Sequence, residues 1–520
     1  GPTLNVGRVM TPTLAMVCGR EAAIRNFQSE PFYTVQLVPE GFAANGERMK
    51  EKTEAEKVAE ECRLAGTATV VKSERKDRTE KPPALYDLTS LQRDANRQLG
   101  FTAQQTLDYT QSLYEKKLVT YPRTDSRYLT EDMAGMLPGL VEMVQKKRNI
   151  SPDAPAPVNA AQVINGKKVT DHHAIIPTKT LESADLAALP SGELAVLDLI
   201  ALRLVCAVGD PCRYSETAVT LECAGHQFKS KGKTVTDPGW RAYVAASTDE
   251  KSEDDAPPIP ALSEDAELPL ARVELKEGKT TPPKRFTEDT LLQSMETAGA
   301  EEMPEDVERR GIGTPATRAA IIEKLVQKGF VERKGDKKAK ALVPTDKGRA
   351  LAAVVPEQIQ SPSMTAEWEE KLLGIEKGGY APDDFMREIA GMVTDLVKNY
   401  ETVKGVEIKM PGNNSKVIGS CPHCGADVAE RDKGWFCSSR ECRFVLWKDN
   451  AYFKKLGKHL TAGMAEKLVK EGRVRLKDCK SQRTGKTYNA DVLLTTEEDG
   501  RAKFQMEFDN SGKNSGGKKN

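Results

Sequence analysis

The sequence predicts a multidomain α+β protein with a small zinc ribbon near its C-terminus. The chain has 520 residues, and at roughly 150 residues per domain this length corresponds to about three to four domains. Stretches in which apolar residues recur at helical spacing are followed along the chain by stretches with strand-like alternation. Four of the ten cysteines fall within residues 421–442, whereas the other six show no spacing pattern.

Composition excludes several classes of protein. With 77 basic and 77 acidic side chains and 38% hydrophobic residues, the chain is neither disordered nor collagen-like. We find no signal peptide, and the most apolar stretch, residues 194–208, contains Asp198 and Arg203, so it predicts a buried helix rather than a membrane span. Ten cysteines are too few for a disulfide scaffold of this size. We therefore expect a cytoplasmic protein.

Local patterns predict the elements in chain order. Gly100 and Thr102 stand where a C-cap and an N-cap separate two helices. The predicted elements are a helix beginning near Pro12, strands and one helix over residues 31–71, helices over 90–208, strands over 211–246, an acidic Pro-rich linker over 248–269, helices over 286–400 with a hairpin formed by FVER and KALVPT, and a polar tail. The helix and hairpin after residue 311 resemble a winged-helix module.

The strongest metal signal is the segment CPHC-x12-CSSREC. Two pairs of cysteines at C-x2-C and C-x4-C spacing offer four thiolates to a tetrahedral zinc ion. All four ligands are protein groups, so the predicted role is structural. The alternatives are four unrelated thiols or a ribbon that binds metal weakly. The predicted ligands are Cys421, Cys424, Cys437 and Cys442.

Aromatic and basic side chains are interleaved around these cysteines. Trp435, Phe436, Phe444 and Trp447 could stack on bases while nearby cations contact phosphates. A small domain also needs aromatic residues for its core, and this interpretation is equally open for each of them. Residues 401–520 carry 24 Lys and Arg against 16 Asp and Glu, so the C-terminal part is the basic part of a neutral chain.

The segment LVTYPRTDSRYL contains a candidate nucleophile. A tyrosine hydroxyl attacks only when cations stabilise its phenolate, and Arg123 stands two residues after Tyr121. From chemistry alone this signal is weak, because a tyrosine before proline at the end of a helix usually packs.

Two further segments have functional and structural interpretations. In DHHAIIPT, an extended backbone lets only one of His172 and His173 face a given site, and a histidine satisfied in the core explains the pattern equally. In GIGTPATR, a helix N-terminus could bind phosphate, while Thr314 as an N-cap followed by proline explains the same residues.

Taken together, these segments resemble the type IA DNA topoisomerases. VGRVMTPTLAMV, SLQRDANRQLGF, LVTYPRTDSRYL, HHAIIPT and GIGTPATRAAII occur in the order and with roughly the spacing of that family. The likeness is closer to bacterial topoisomerase III-like enzymes and covers the chain from Thr3 to about Tyr400. The zinc ribbon and the segment after it resemble the accessory repeats of many members.

The resemblance implies a mechanism. Tyr121 would attack a single-stranded DNA phosphodiester, form a 5′-phosphotyrosine and later reseal the strand without ATP. Arg123 and His172 would act at the same phosphate. The remaining positions that resemble DNA contacts are Arg8, Gln92, Arg93, Thr124, Asp125, Ser126, Gly313, Thr314, Thr317 and Arg318.

The resemblance also implies an architecture, a toroid whose nucleophile domain swings away to let a strand pass. Its parts would be residues 1–30 and 271–400 as the single-strand-binding domain, 31–88 and 209–270 as a β-rich arch, 89–208 as the helical nucleophile domain, 401–450 as the zinc ribbon, 451–510 as an accessory repeat and 511–520 as a flexible tail.

One departure from the family concerns magnesium. Members begin with a Toprim domain that holds Mg²⁺, and nothing before Gly7 resembles it. Gly1-Pro2 resembles the remnant of a cleaved tag, so we expect a truncated chain, the alternatives being a split gene or a decayed paralogue. Such a chain would be a nucleoid-associated bacterial monomer that binds single-stranded or underwound DNA and needs the Toprim domain in cis or in trans.

Two other functions remain open at this stage. The chain could be a non-catalytic module that binds single-stranded DNA through the same groove and ribbon. It could also be a docking protein whose zinc ribbon recognises protein, in which case its affinity for DNA would depend little on salt.

Overall fold

The computed structural model falls into two units, residues 1–405 and residues 406–520. It describes residues 7–151, 155–247, 257–298, 311–376, 378–398, 417–431, 433–439, 442–480 and 487–508. The predicted flexible tail and the first part of the predicted linker, residues 248–256, lie outside these ranges.

A closed β-barrel is built from separate stretches of the first unit. Alternating apolar residues such as Val35, Leu37 and Leu221 fill its interior, as period-two patterning requires. The strands follow the order β1-β2-β5-β4-β3-β6, and helix α2 packs against β1 and β6. These elements are β1 (Pro31–Pro39), β2 (Ala44–Asn45), α2 (Lys52–Ala65), β3 (Thr67–Glu80), β4 (Cys212–Cys223), β5 (His226–Asp237) and β6 (Glu267–Lys279).

Two expectations about the barrel need correction. The boundary placed at residue 270 falls inside β6, because β6 pairs with β1 from Pro39↔Leu270 to Pro31↔Lys279. The described part of the predicted linker is exposed at most positions, as expected, but Ile259 is buried in the barrel core and the last three residues begin β6.

A helical layer lies between β3 and β4 in the chain. The predicted caps are confirmed, because Gly100 ends α3 in the left-handed conformation and Thr102 begins α4 with a capping box. The predicted buried helix is α6, whose apolar residues join one core with those of α3 to α5. No helix in the described ranges has the length and apolarity needed to cross a membrane. The helices are α3 (Leu88–Leu99), α4 (Ala103–Glu115), α5 (Leu137–Arg148), α6 (Ser191–Val208) and, after β5, α7 (Arg241–Ser247).

The start of the chain packs against a later group of helices. Leu14 and Val17 of the first helix share a core with Leu292, Ile322 and Phe330. The predicted hairpin is present and pairs Val331 with Pro344. The elements are α1 (Met10–Asn26), α8 (Glu288–Thr297), α9 (Pro315–Gln327), β7 (Val331–Lys334), β8 (Ala341–Pro344), α10 (Asp346–Val354), α11 (Glu357–Gln360), α12 (Pro362–Glu376) and α13 (Pro382–Lys398).

The second unit contains two antiparallel sheets around one core. One sheet has the order β12-β11-β10-β9 and the other β13-β14-β15. Buried Trp435 and Phe444 of the first sheet region share a cluster with Phe453, Leu468 and Val492. The segments expected as a ribbon and a separate repeat therefore share one core. The elements are β9 (Val417–Ser420), β10 (Asp427–Arg431), β11 (Gly434–Cys437), β12 (Val445–Trp447), α14 (Ala451–Lys455), α15 (Ala462–Glu471), β13 (Arg473–Lys480), β14 (Thr487–Thr496) and β15 (Ala502–Phe508).

Candidate active site and metal centre

The loop that follows α4 pairs with a distant segment of the helical layer. The Thr120 amide donates to the Ile176 carbonyl at 3.0 Å, and the Ile176 amide donates to Thr120 Oγ1 at 3.0 Å. Val119 and Pro177 form an antiparallel bridge beside them. This pairing brings the TYPRTDS and HHAIIPT segments side by side.

The Tyr121 ring contacts two other rings. Its ring centroid is 4.2 Å from that of His172 at an interplanar angle of 42°, and 5.4 Å from that of Tyr114 in an edge-to-face arrangement. His173 instead directs Nδ1 to the Ala174 carbonyl at 2.8 Å, so only one of the two histidines faces Tyr121. The Tyr121 hydroxyl has no hydrogen-bond partner in the described part of the chain.

Arg123 is exposed and its guanidinium is held from α4. Arg123 Nη1 donates to Gln111 Oε1 at 3.3 Å, and no carboxylate of the described residues lies within ion-pair distance. Asp125, also exposed, accepts a hydrogen bond from Thr170 at 3.2 Å. An unpaired guanidinium at the surface is available to an anionic group.

A cleft of about 340 Å³ joins this loop to the start of α9. The N-terminus of a helix attracts anions, because its first amide groups have no partner within the helix. The residues that line the cleft are Arg123, Thr124, Asp125, Thr170, Asp171, His172, Thr314, Pro315, Ala316 and Glu376.

The GIGT segment shapes the second wall of the cleft. Gly311 and Gly313 have φ angles of +64° and +70°, which glycine adopts readily. Thr314 and Thr317 form a capping box at the start of α9, and the Thr314 amide donates to Thr317 Oγ1 at 2.9 Å. Both threonines are exposed, so they cap the helix and are also accessible to solvent.

Two of the expected DNA contacts in the loop after α4 are structural. Thr124 and Ser126 are buried, each 3% exposed. Thr124 Oγ1 donates to the His172 carbonyl at 2.8 Å, and Ser126 Oγ donates to the Lys168 carbonyl at 2.8 Å. These hydroxyls hold the loop in place and do not face the cleft as free donors.

Arg318 is a third correction. It is 3% exposed, and its guanidinium donates to the carbonyls of Ile312 and Gly313 at 3.2 and 3.0 Å and to Thr89 Oγ1 at 3.1 Å. Burial with several protein partners leaves no face for a phosphate. Arg318 thus links residues 312–313 to α3 through Thr89.

Gln92 and Arg93 also face protein. Gln92 is fully buried and donates to the Ala103 carbonyl at 3.1 Å, while its Oε1 has no partner within the described residues. Arg93 forms an ion pair with Asp289 at 2.8 Å. Arg8, in contrast, is exposed at the start of α1.

Several residues of the site gave no sequence signal. Gln111 and Tyr114 contact the key side chains from α4, and Glu376 lines the cleft from α12. Arg127 connects Asp87 at 2.9 Å with Glu296 at 3.3 Å and so joins the helical layer to α8. Helical spacing places Gln111 and Tyr114 on one face of α4, which is the one signal that could have linked them.

The four expected metal ligands come together in the second unit. Their sulfur atoms all lie within 4.8 Å of one another, and the Cys424–Cys437 and Cys421–Cys442 pairs are 3.4 and 3.7 Å apart. This cluster fits tetrahedral zinc, in which all four ligands are thiolates. Burial raises the pKa of the Cys437 thiol to about 12, so binding of a metal ion must displace its proton.

The aromatic residues of the ribbon divide into two groups. Trp435 and Phe444 are buried in the core. Trp447 is 45% exposed, and its ring meets that of Phe436 edge-to-face at 5.3 Å. The Arg431 guanidinium lies 5.2 Å from the Phe436 ring. Trp435 and Phe444 are therefore core residues, whereas Trp447 is at the surface and Phe436 is partly exposed.

Comparison with known proteins identifies relatives. A family model described as DNA topoisomerase matches residues 1–387. DNA topoisomerase 3 of Bacillus licheniformis is 37% identical over 463 residues, which cover 84% of this chain and 62% of that protein. DNA topoisomerase 3 of Bacillus subtilis is 38% identical over 487 residues, covering 86% of this chain and 64% of that protein. The chain thus spans less than two thirds of the length of these relatives.

A solved structure is similar in fold. Full-length topoisomerase I from Thermotoga maritima matches with a TM-score of 0.62 and 23% sequence identity. The match covers 84% of this chain and 70% of that one.

Substitution of Gly311 tests the rigidity of the cleft wall. A Cβ atom at Gly311 would lie 2.1 Å from the Met295 carbonyl oxygen, whereas one at Gly329, with a similar φ of +69°, would meet nothing within 4 Å. We expect Gly329→Ala to lower the free energy of unfolding by about 1–2 kcal/mol and Gly311→Ala by at least twice as much. Urea denaturation measures both, and equal losses would contradict the steric argument.

Removal of zinc tests the shared core of the second unit. We expect one zinc per chain, and we expect a chelator to remove amide protection from β13–β15 as well as from β9–β12, because both sheets pack on one cluster. Hydrogen exchange and metal analysis measure this. Cys437→Ser should behave like the chelated protein, while Cys479→Ala, which changes a buried cysteine outside the cluster, should retain zinc. Full protection of β13–β15 after zinc loss would refute the coupling.

Proposed function

The chain belongs to the type IA DNA topoisomerases, and on this basis we propose that Tyr121 is the nucleophile of a DNA strand-transfer reaction in the cleft between the nucleophile loop and α9. The observation that carries the proposal is the convergence of Tyr121, His172 and exposed Arg123 beside a helix N-terminus. An anionic backbone meets cationic and dipolar groups there.

The proposed reaction exchanges one phosphodiester for another. The Tyr121 phenolic oxygen bonds to phosphorus as the bond to O3′ breaks, the phenol proton is released, and O3′ departs as a hydroxyl. The product is a 5′-phosphotyrosine that conserves the energy of the bond, so attack by the 3′-hydroxyl reseals the strand without ATP.

Arg123 and His172 have distinct proposed roles. The Arg123 guanidinium is planar and unpaired with any described carboxylate, which suits two oxygens of the scissile phosphate. The His172 ring packs against the Tyr121 ring at a tilted angle, where it would stabilise negative charge on the same phosphate.

The remaining strand contacts are proposed from exposure. Gly313, Thr314 and Thr317 at the start of α9, with Arg8 and Asp125, stay accessible or partly accessible. Contacts of this kind hold the backbone and set its register without reading sequence.

Magnesium belongs to a different part of the proposed enzyme. The carboxylates lining the cleft, Asp125, Asp171 and Glu376, do not form a group of three ligands close enough to hold one ion, so no magnesium site is assigned to the described residues and no step is routed through one. The family resemblance supports a Toprim domain as the Mg²⁺ carrier, in cis or in trans. We expect the 520 residues alone to bind DNA as a monomer and to relax supercoils poorly.

Strand passage requires the nucleophile layer to move. The family resemblance supports a toroidal body in which the helical layer swings away, with the strands of the β-rich arch as the hinge. The alternative function, a non-catalytic module for single-stranded DNA, predicts the same binding without a covalent adduct.

The rings of Trp447, which is exposed, and of Phe436, which is partly exposed, support a second contact with single-stranded DNA. The two rings meet edge-to-face and offer surfaces to bases, and the Arg431 guanidinium lies 5.2 Å from the Phe436 ring. Lys433 and Lys448 are backbone neighbours at the end of the same strand pair. Stacking of this kind tolerates any base sequence.

Trapping the covalent intermediate tests the nucleophile. With Mg²⁺ and an added Toprim domain of a relative, SDS should trap an adduct that retains the label of a 3′-labelled oligonucleotide and loses a 5′ label. Tyr121→Phe should reduce the adduct at least about 100-fold with the dissociation constant for DNA within twofold. Tyr128→Phe, on the same loop, is the matched control and should form adducts normally.

Two outcomes would contradict this proposal. An adduct that persists in Tyr121→Phe would assign the nucleophile to another residue. Tight, salt-sensitive binding without any adduct, with or without the added domain, would favour the non-catalytic module.

Substitution of Trp447 tests the ribbon contact. We expect Trp447→Ala to weaken binding of an oligo-dT probe about 5- to 150-fold, because loss of one stacked base costs about 1–3 kcal/mol. The dependence of affinity on salt should stay the same, since no ionic contact is lost. Val417→Ala removes an exposed apolar side chain from the same sheet and should have no effect. Fluorescence anisotropy measures both, and unchanged affinity in Trp447→Ala would refute stacking.

A further inference from the structure

Two side chains on one face of α4 contact the nucleophile loop. Gln111 and Tyr114 are three residues apart, so they lie on the same side of the helix. Gln111 Oε1 accepts a hydrogen bond from Arg123, and the Tyr114 ring meets the Tyr121 ring edge-to-face. One helix face thus contacts both residues proposed to act at the phosphate.

The hydrogen bond to Gln111 restricts the orientation of the Arg123 guanidinium. Arg123 is exposed, and among the described residues its hydrogen-bond partner is Gln111 at 3.3 Å. Gln111 Nε2 in turn donates to Glu115 Oε1 at 3.1 Å, which orients the amide so that its oxygen faces Arg123. A neutral acceptor orients the guanidinium without competing for its charge, whereas a carboxylate would compete with phosphate.

The Tyr114 contact restricts the nucleophile. The Tyr121 ring contacts the Tyr114 ring edge-to-face and the His172 ring at a tilted angle. Edge-to-face packing is directional, because the positive edge of one ring meets the negative face of the other. Tyr114 is 39% exposed, so the ring contributes little to the core and its position is better explained by the contact with Tyr121.

We propose that Gln111 and Tyr114 are positioning residues that hold Arg123 and Tyr121 in the geometry for attack before DNA binds. The proposal rests on the proposed function of Tyr121. It extends that function by assigning the preorganisation of the site to the last two turns of α4. Neither residue needs to touch the DNA.

The same helix provides a matched control. Gln104 also donates its amide to a carboxylate four residues later, Asp108, at 2.9 Å, but no contact joins it to the nucleophile loop within the described structure. Gln104→Ala and Gln111→Ala therefore remove equivalent helix-surface hydrogen bonds, and only the second releases Arg123. Tyr114→Phe keeps the ring contact that Tyr114→Leu removes.

Single-turnover adduct formation over a range of oligonucleotide concentrations tests the proposal. We expect Gln111→Ala and Tyr114→Leu to lower the maximal rate about tenfold while the half-saturating concentration stays within twofold. Gln104→Ala and Tyr114→Phe should match the unsubstituted chain. Gln111→Glu should raise the half-saturating concentration, because its carboxylate competes with phosphate for Arg123.

The outcomes separate this proposal from the function on which it rests. A raised half-saturating concentration with an unchanged maximal rate in Tyr114→Leu would show that Tyr114 binds DNA, and unchanged rates in both variants would show that the face is only surface; either overturns the proposal. An adduct that persists in Tyr121→Phe instead overturns the nucleophile assignment.

A second measurement does not depend on activity. In chain carrying ring-labelled tyrosine, the Tyr121 NMR signal, assigned by its loss in Tyr121→Phe, should be single in the unsubstituted chain and in Tyr114→Phe. It should broaden or split in Tyr114→Leu as the ring samples several orientations. A single sharp Tyr121 signal in Tyr114→Leu would overturn the positioning role of Tyr114 even where no adduct forms.

Discussion

The candidate site depends on the pairing of two short backbone segments within the helical layer. The reciprocal hydrogen bonds of Thr120 and Ile176 join stretches that lie 56 residues apart in the chain. The buried Thr124 hydroxyl then binds the carbonyl of His172, so the loop carrying Tyr121 and the segment carrying His172 are fixed to each other through buried backbone groups. Such groups must find partners, which makes the juxtaposition of the two rings a consequence of the fold.

Sequence patterns predicted the features that depend on neighbours along the chain. The caps at Gly100 and Thr102, the β7–β8 hairpin and the cysteine cluster all follow from local spacing. The family followed from several motifs in order. Arg318 could not be placed in the same way, because its burial depends on Thr89, which lies 229 residues away. From the sequence alone, polar side chains in such a motif are interpreted as surface contacts, because a partner that is distant in the chain is not visible.

Several charged groups cross the interface between the helical layer and α8. Arg93 and Arg127 pair with Asp289 and Glu296 across it, and the Ala103 amide donates to buried Glu288. Charged groups are hydrated again when they separate, so breaking these contacts costs less free energy than breaking apolar contacts. Arg93, which sequence reasoning assigned to DNA, thus provides one of the contacts that a movable layer would need.

The closure of the barrel has a consequence for how the protein is made. Every residue of β1 pairs with β6, from Pro39 opposite Leu270 to Pro31 opposite Lys279, and the helical layer lies between the two strands in the chain. Contacts so distant in sequence form slowly, because a long loop must close first. During synthesis β1 emerges early and cannot pair with β6 until β6 has left the ribosome. The buried residues of the helical layer end at residue 208, so this layer can fold before the barrel closes.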